Sequence, residues 1–181
     1  MKYFYDTEFL EDGKTIELIS IGIIAEDGRE YYAVNSDMPV DRIKENLWLC
    51  ENVVPNLPLL GDGVTNSSAS RRSLFHLNTK STLVKPKWVI ANEVREFLLA
   101  DTTPELWAWY SAYDHVALAQ LFGKMIRLPH GIPMFTNDVR SLTVWTGVDD
   151  LPKQTDGVHN AMADAKHVKK MYDHIIERTQ P

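Results

Sequence analysis

Seven residues near the start of the chain, Tyr3-Phe4-Tyr5-Asp6-Thr7-Glu8-Phe9, restrict what the rest can fold into. An aromatic-rich run of this kind reads as a buried strand, and a buried strand carries two carboxylates only when something compensates their charge. Side chains on a strand alternate with period two, so Asp6 and Glu8 project from one face and repel each other. A divalent cation with oxygen ligands is the natural counter-charge. The plainer reading makes Asp6 a turn residue at the strand end and Glu8 a solvated edge residue. The triplet alone does not choose between them; the chain downstream does.

With 181 residues, 44% of them hydrophobic, the chain can bury one sizeable core and is expected to form one domain over 1–181. A turn at 11–14 leads into a β-branched run at 15–25, and Asp27-Gly28 signals a tight hairpin into a third strand at 30–35. Val40, Ile43 and Leu47 predict a short helix within 39–49, closed by Pro55 and Pro58. The segment 61–86, with Gly61, Gly63, Asn66, Ser67, Ser68 and Ser70, reads as a loop insertion. Arg71, Arg72, Lys80, Lys85 and Lys87 make it the most basic stretch, either a solvated face or a phosphate-contacting arm.

Apolar spacing predicts a helix at 88–99, a strand at 105–110, and a helix at 114–122 with Asp114 in its first turn. A helix over 134–145 and a loop at 153–157 follow. The last element, 158–178, places Val158, Ala161, Ala165, Val168, Met171, Tyr172 and Ile175 on one stripe and should pack on the sheet. The expected class is α/β: three antiparallel strands, a further parallel one, and flanking helices. Ligands of such sheets collect at strand-to-helix junctions, where Asp114 falls. Trp107 and Trp109 read as strand packing, and Asp156 as loop polarity.

No apolar stretch is long enough to span a bilayer, and Met1-Lys2 runs directly into the first strand, which leaves no signal peptide. The single cysteine, Cys50, cannot form a disulfide within the chain, which fits a reducing, cytoplasmic setting. The formal charge of −6 argues superficially against a nucleic-acid partner. Two divalent ions held by carboxylates would lift it to about −2, so a phosphodiester substrate is not excluded.

The final helix opens with His159-Asn160-Ala161-Met162-Ala163-Asp164-Ala165. Five residues of helix turn through about 140°, so His159 shares no helical face with Asp164 and belongs in the entering loop. From there it leans over whatever Asp164 binds, which suits a mobile base.

Asp6, Glu8, Asp114, His159 and Asp164, in the segments YDTEF, SAYDHVAL and HNAMADA, resemble the three motifs of the DEDDh 3′-5′ exonucleases, in that order. Residues 1–35 and 105–122 are similar in wording to the bacterial polyadenylate-specific 3′-exoribonucleases, the RNase AS family. The resemblance implies a ribonuclease H-like fold and two Mg²⁺ or Mn²⁺ ions held by Asp6, Glu8, Asp114 and Asp164, with His159 as the proton acceptor. It further implies single-stranded RNA with a free 3′ end as substrate, a preference for adenylate, and a homodimer. Most DEDDh enzymes carry Thr-Gly soon after the first-motif Glu; Phe9 and Leu10 stand here, and together they are expected to sandwich the terminal base. Two alternatives remain open: a DNA exonuclease of the proofreading type, and an inactive ribonuclease H-like binding module.

Overall fold

The first strand of the sheet, β1 (Lys2–Glu11), carries Asp6 and Glu8. In the computed structural model, which describes residues 1–61, 75–101 and 103–179, it lies inside a six-stranded mixed sheet of order β4-β3-β2-β1-β5-β6. β2 (Ile16–Ala25) and β3 (Glu30–Asn35) continue from it antiparallel, with the Asp27-Gly28 hairpin between them. β5 (Glu105–Ala108) runs parallel to β1, β6 (Asn137–Asp138) parallel to β5, and β4 (Val84–Lys85) parallel to β3. The pairing of β1 with β5 covers only Lys2, Tyr3 and Phe4. Beyond Phe4 the two strands part, and the cleft described below opens in that fork.

Alternation along β1 sorts its side chains between two cores. Tyr3 and Tyr5 pack with Ile90, Val94 and Leu98 of α3 (Lys87–Leu98) and with Ala117 and Leu118 of α4 (Ala112–Ala119). Phe4 points the other way, to Val139 of α5 (Val139–Thr146) and to Val168, Met171 and Ile175 of α6 (Ala161–Thr179). A third cluster under α1 (Val40–Glu45) and α2 (Leu47–Asn52) takes Leu10, Ile19, Val34 and Phe75. No helix of the described residues is long and apolar enough to cross a membrane.

Three expectations need correction. The single helix of 39–49 is two helices, because Asn46 leaves the helical region (φ −90°, ψ 103°) and its side chain accepts the Leu49 N–H instead. Asparagine competes for backbone in this way, and capping outweighs continuation. The helix of 134–145 is in fact β6 followed by α5, with Asp138 as the cap accepting from Arg140 N–H at 2.9 Å. The 61–86 insertion is not loop throughout: Leu77 bridges Leu59, Phe75 is buried, and β4 pairs with β3. Lys85 of that basic stretch pairs with Glu93 at 2.6 Å. Residues 62–74, with Gly63, Asn66, Ser67, Ser68, Ser70, Arg71 and Arg72, lie outside the described residues.

Gly22 of β2, paired across the ladder with Asp6, is where α6 crosses the sheet most closely. A β-carbon there would overlap backbone atoms of Ala161 and Met162, the first turn of α6. Backbone cannot yield as a side-chain tip can. Gly22→Ala is expected to destabilise the protein by about 1–3 kcal/mol, the usual cost of overpacking, and to lower activity in the fraction that stays folded. A urea midpoint together with a rate measured well below it checks both parts; an unchanged midpoint rejects the packing argument.

Candidate active site

A cleft of about 660 Å³ opens between the second half of β1, the start of α4 and the loop entering α6. Asp6, Glu8, Asp114, His159 and Asp164 all line it. β1 delivers Asp6 and Glu8 from the same face as Phe4. Asp114 sits in the first turn of α4 and Asp164 in the first turn of α6, where carboxylates also meet the positive end of a helix dipole. His159 lies before α6 with a left-handed backbone, φ 63°.

Two of the carboxylates are held by residues that sequence reasoning passed over. Past Phe4, β1 has no parallel partner, and the Thr7 N–H turns to Asp114 Oδ1 at 2.8 Å, with the Thr7 hydroxyl donating to the same oxygen at 2.6 Å. Gln154 Nε2 donates to Asp164 Oδ1 at 2.6 Å, and His159 N–H donates to Asp164 Oδ2 at 2.9 Å. The signal for Thr7 was its place between the two acids. Gln154 gave none, because it sits in an irregular loop.

Among the described residues no lysine or arginine forms an ion pair with any of the four acids. Their electrostatics follow from that. Burial, then the charges of Asp114, Glu8 and Asp164, hold Asp6 well above the ordinary carboxylate range. Burial and the charges of Asp164 and Asp114 push Glu8 up to about 8. Burial raises Asp114 to about 6 against the pull of the Thr7 bonds, and raises Asp164 against that of Gln154. Four acids that resist ionisation together form a donor set short of positive charge. Donor atoms of Glu8, His159 and Asp164 lie within 4.8 Å of one another, a spacing one metal ion can bridge; Asp6 and Asp114 do not join that tight group. Hard oxygen donors in this number fit Mg²⁺ or Mn²⁺.

The pair Phe9 and Leu10 divides. A β-bulge between Glu8 and Phe9 breaks the alternation of β1, and the Phe9 ring stacks on half-exposed Tyr113 at 5.9 Å and 5° and lines the cleft. Leu10, expected against the RNA end, is only 4% exposed and packs with Ile19, Val34 and Ile43. Its side chain is part of that core; Tyr113 is the side chain stacked on Phe9. Trp107 and Trp109 both pack against the Phe4 core as expected; Trp107 also meets Tyr172, and Trp109 meets Tyr110 and borders the cleft. His115 Nδ1 meets Thr136 Oγ1 at 3.0 Å, and Asp156 takes the Thr155 hydroxyl and leaves His159 alone.

The family model of the Rv2179c-like 3′-5′ exoribonuclease domain matches residues 1–176. Two curated relatives are each 44% identical over 168 residues, which cover 92% of this chain and 88% of theirs. They are the 3′-5′ exoribonuclease Rv2179c of Mycobacterium tuberculosis strain ATCC 25618/H37Rv and the 3′-5′ exoribonuclease MT2234.1 of strain CDC 1551/Oshkosh.

Proposed function

Since the chain belongs to the Rv2179c-like 3′-5′ exoribonuclease family, we propose that it trims single-stranded RNA from a free 3′ end, prefers adenylate, and works with two divalent cations in a ribonuclease H-like, DEDDh-type site. The observation that carries the reading is the convergence on one cleft of four carboxylates, none paired with a lysine or arginine among the described residues, and one histidine, from three separate parts of the chain. Asp6, Glu8, Asp114 and Asp164 would hold the ions. Bound divalent ions supply a nucleophilic hydroxide at neutral pH and a counter-charge for the departing 3′ oxygen.

The chain's own residues do the rest. His159 stands beside Glu8 and Asp164 and accepts the proton of the attacking water. Thr7 aims Asp114 and Gln154 aims Asp164, so neither acid has to be ordered by the substrate. The Phe9–Tyr113 stack offers a flat wall on which an unpaired base can lie, and a purine gains most from it.

The reading is tested by a time course on 5′- and 3′-labelled A, C, G and U homopolymers, as RNA and as DNA, with Mg²⁺ or EDTA. The expected result is a ladder shortening from the 3′ end of oligo(A), fastest among the RNAs, and stopped by EDTA. Digestion that persists in EDTA overturns the metal assignment, and equal rates on DNA overturn the RNA preference. Phe9→Ala is expected to weaken oligo(A) binding about ten- to a hundredfold, the worth of one base stack. Leu10→Ala should instead cost about 2–5 kcal/mol of stability and leave affinity intact. Paired melting and binding measurements on both variants check this; normal affinity in Phe9→Ala rejects the stacking wall.

A further inference from the structure

The His159 imidazole makes no hydrogen bond to any described side chain, so its orientation rests on what packs against it. That neighbour is Trp48 of α2, whose ring centroid lies 4.7 Å from the imidazole at 76° between planes. Trp48 is 51% exposed and belongs to none of the three cores, so packing of the fold does not account for it.

The backbone of His159 is held from both sides. Its N–H donates to Asp164 Oδ2, and its carbonyl accepts from Asn56 Nδ2 at 2.9 Å, which also reaches the Val158 carbonyl at 3.3 Å. A left-handed φ is unfavourable for a residue with a β-carbon and persists only where the surroundings over-determine it. The surroundings here are one short segment. Asn46 caps α2, Asn52 Nδ2 donates to the Trp48 carbonyl at 2.9 Å, and Asn56 Nδ2 donates to the Asn52 carbonyl at 3.0 Å. Buried Leu49, Cys50, Val53 and Val54 root that segment in the core.

We propose that Trp48 and Asn56 are positioning residues for His159: Asn56 fixes the peptide, and Trp48 fixes the rotation of the ring over the cleft. The assignment rests on the reading of His159 as proton acceptor. A ring that swings away loses its alignment with the attacking water, so the loss falls on turnover rather than on binding.

Single-turnover and steady-state kinetics on oligo(A) in Mg²⁺, with melting temperatures, test this in Trp48→Ala, Trp48→Phe, Asn56→Asp, His159→Ala and the Trp48→Ala/His159→Ala double variant. Trp48→Ala and Asn56→Asp are expected to lower kcat about ten- to a hundredfold with KM unchanged. Trp48→Phe, which keeps an aromatic wall, should recover to within about threefold of the parent. In the His159→Ala background, Trp48→Ala should have no further effect, since there is no ring left to orient. An equal kcat loss with or without His159 overturns the proposal, as does a rise in KM at constant kcat, which would make Trp48 an RNA contact. Full activity of Trp48→Ala beside an inactive His159→Ala overturns the positioning role alone; full activity of His159→Ala overturns the base assignment and this proposal together.

Discussion

Asp6→Ala is expected to abolish hydrolysis while leaving the metal-free protein no less stable at pH 5 and more stable at pH 8. The sign follows from the four raised carboxyl groups. Each binds its proton more firmly in the folded than in the unfolded chain, so its contribution to stability is complete below the unfolded value near pH 4 and is lost as pH rises through the folded value. For Asp114 that loss runs from 3.8 to about 6 and for Glu8 from 4.5 to about 8. Glu8 alone, lifted from 4.5 to about 8, represents a few kcal/mol at most, on the order of 1.4 kcal/mol per pKa unit. In EDTA the melting temperature should therefore fall between pH 5 and pH 9, more steeply than in Asp6→Ala, where one repelling charge is gone. Mg²⁺, bound only by the folded protein, should raise it most at the alkaline end. Differential scanning over that pH range with and without metal checks the expectation. Residual hydrolysis in Asp6→Ala, or a melting temperature that climbs with pH in EDTA, would sink the account of the site as a charge-deficient donor set.

His159→Ala is expected to lower turnover by roughly 10²–10⁴-fold, the usual worth of a general base, with little change in RNA affinity. The geometry admits a rival role, since a ring nitrogen of His159 lies within ligand spacing of Glu8 and Asp164. The two roles separate experimentally. A base leaves the Mg²⁺-dependent rise in melting temperature intact and cannot be compensated by more metal. A ligand loses that rise, and its rate returns as Mg²⁺ is increased; such a result would remove His159 from the proton-transfer role.

What the sequence disclosed and what it hid divide along physical lines. The opening strands were legible because Asp27-Gly28 is a local turn signal between β-branched runs, and α6 because its stripe from Ala161 to Ile175 spans many turns. The five polar residues were legible because carboxylates in an aromatic strand or beside a buried helix need a reason to be there, and the structure gathers them in one cleft. β6 escaped because two residues carry no period, and the α1–α2 break escaped because one asparagine side chain decided it. Gln154 was hidden by its irregular loop, and Tyr113 and Trp48 because each owes its place to a neighbour distant in the chain, where no spacing rule reaches. The burial of Leu10 was hidden because its role was taken from a resemblance to residues after the first-motif Glu, which says nothing of the α1–α2 core it packs into.

Gly22 has no chemistry to offer RNA, yet it lies across the ladder from Asp6 and under the turn that presents Asp164. Its missing side chain is the clearance that lets the third motif reach the first. A random screen for dead nucleases should therefore recover substitutions at position 22 among those at the acidic positions, and a map of such hits would draw the catalytic centre one residue too wide. The distinction shows in rescue: a metal-ligand defect answers to more or different cation, whereas a spacer defect answers only to a compensating change in the helix above it.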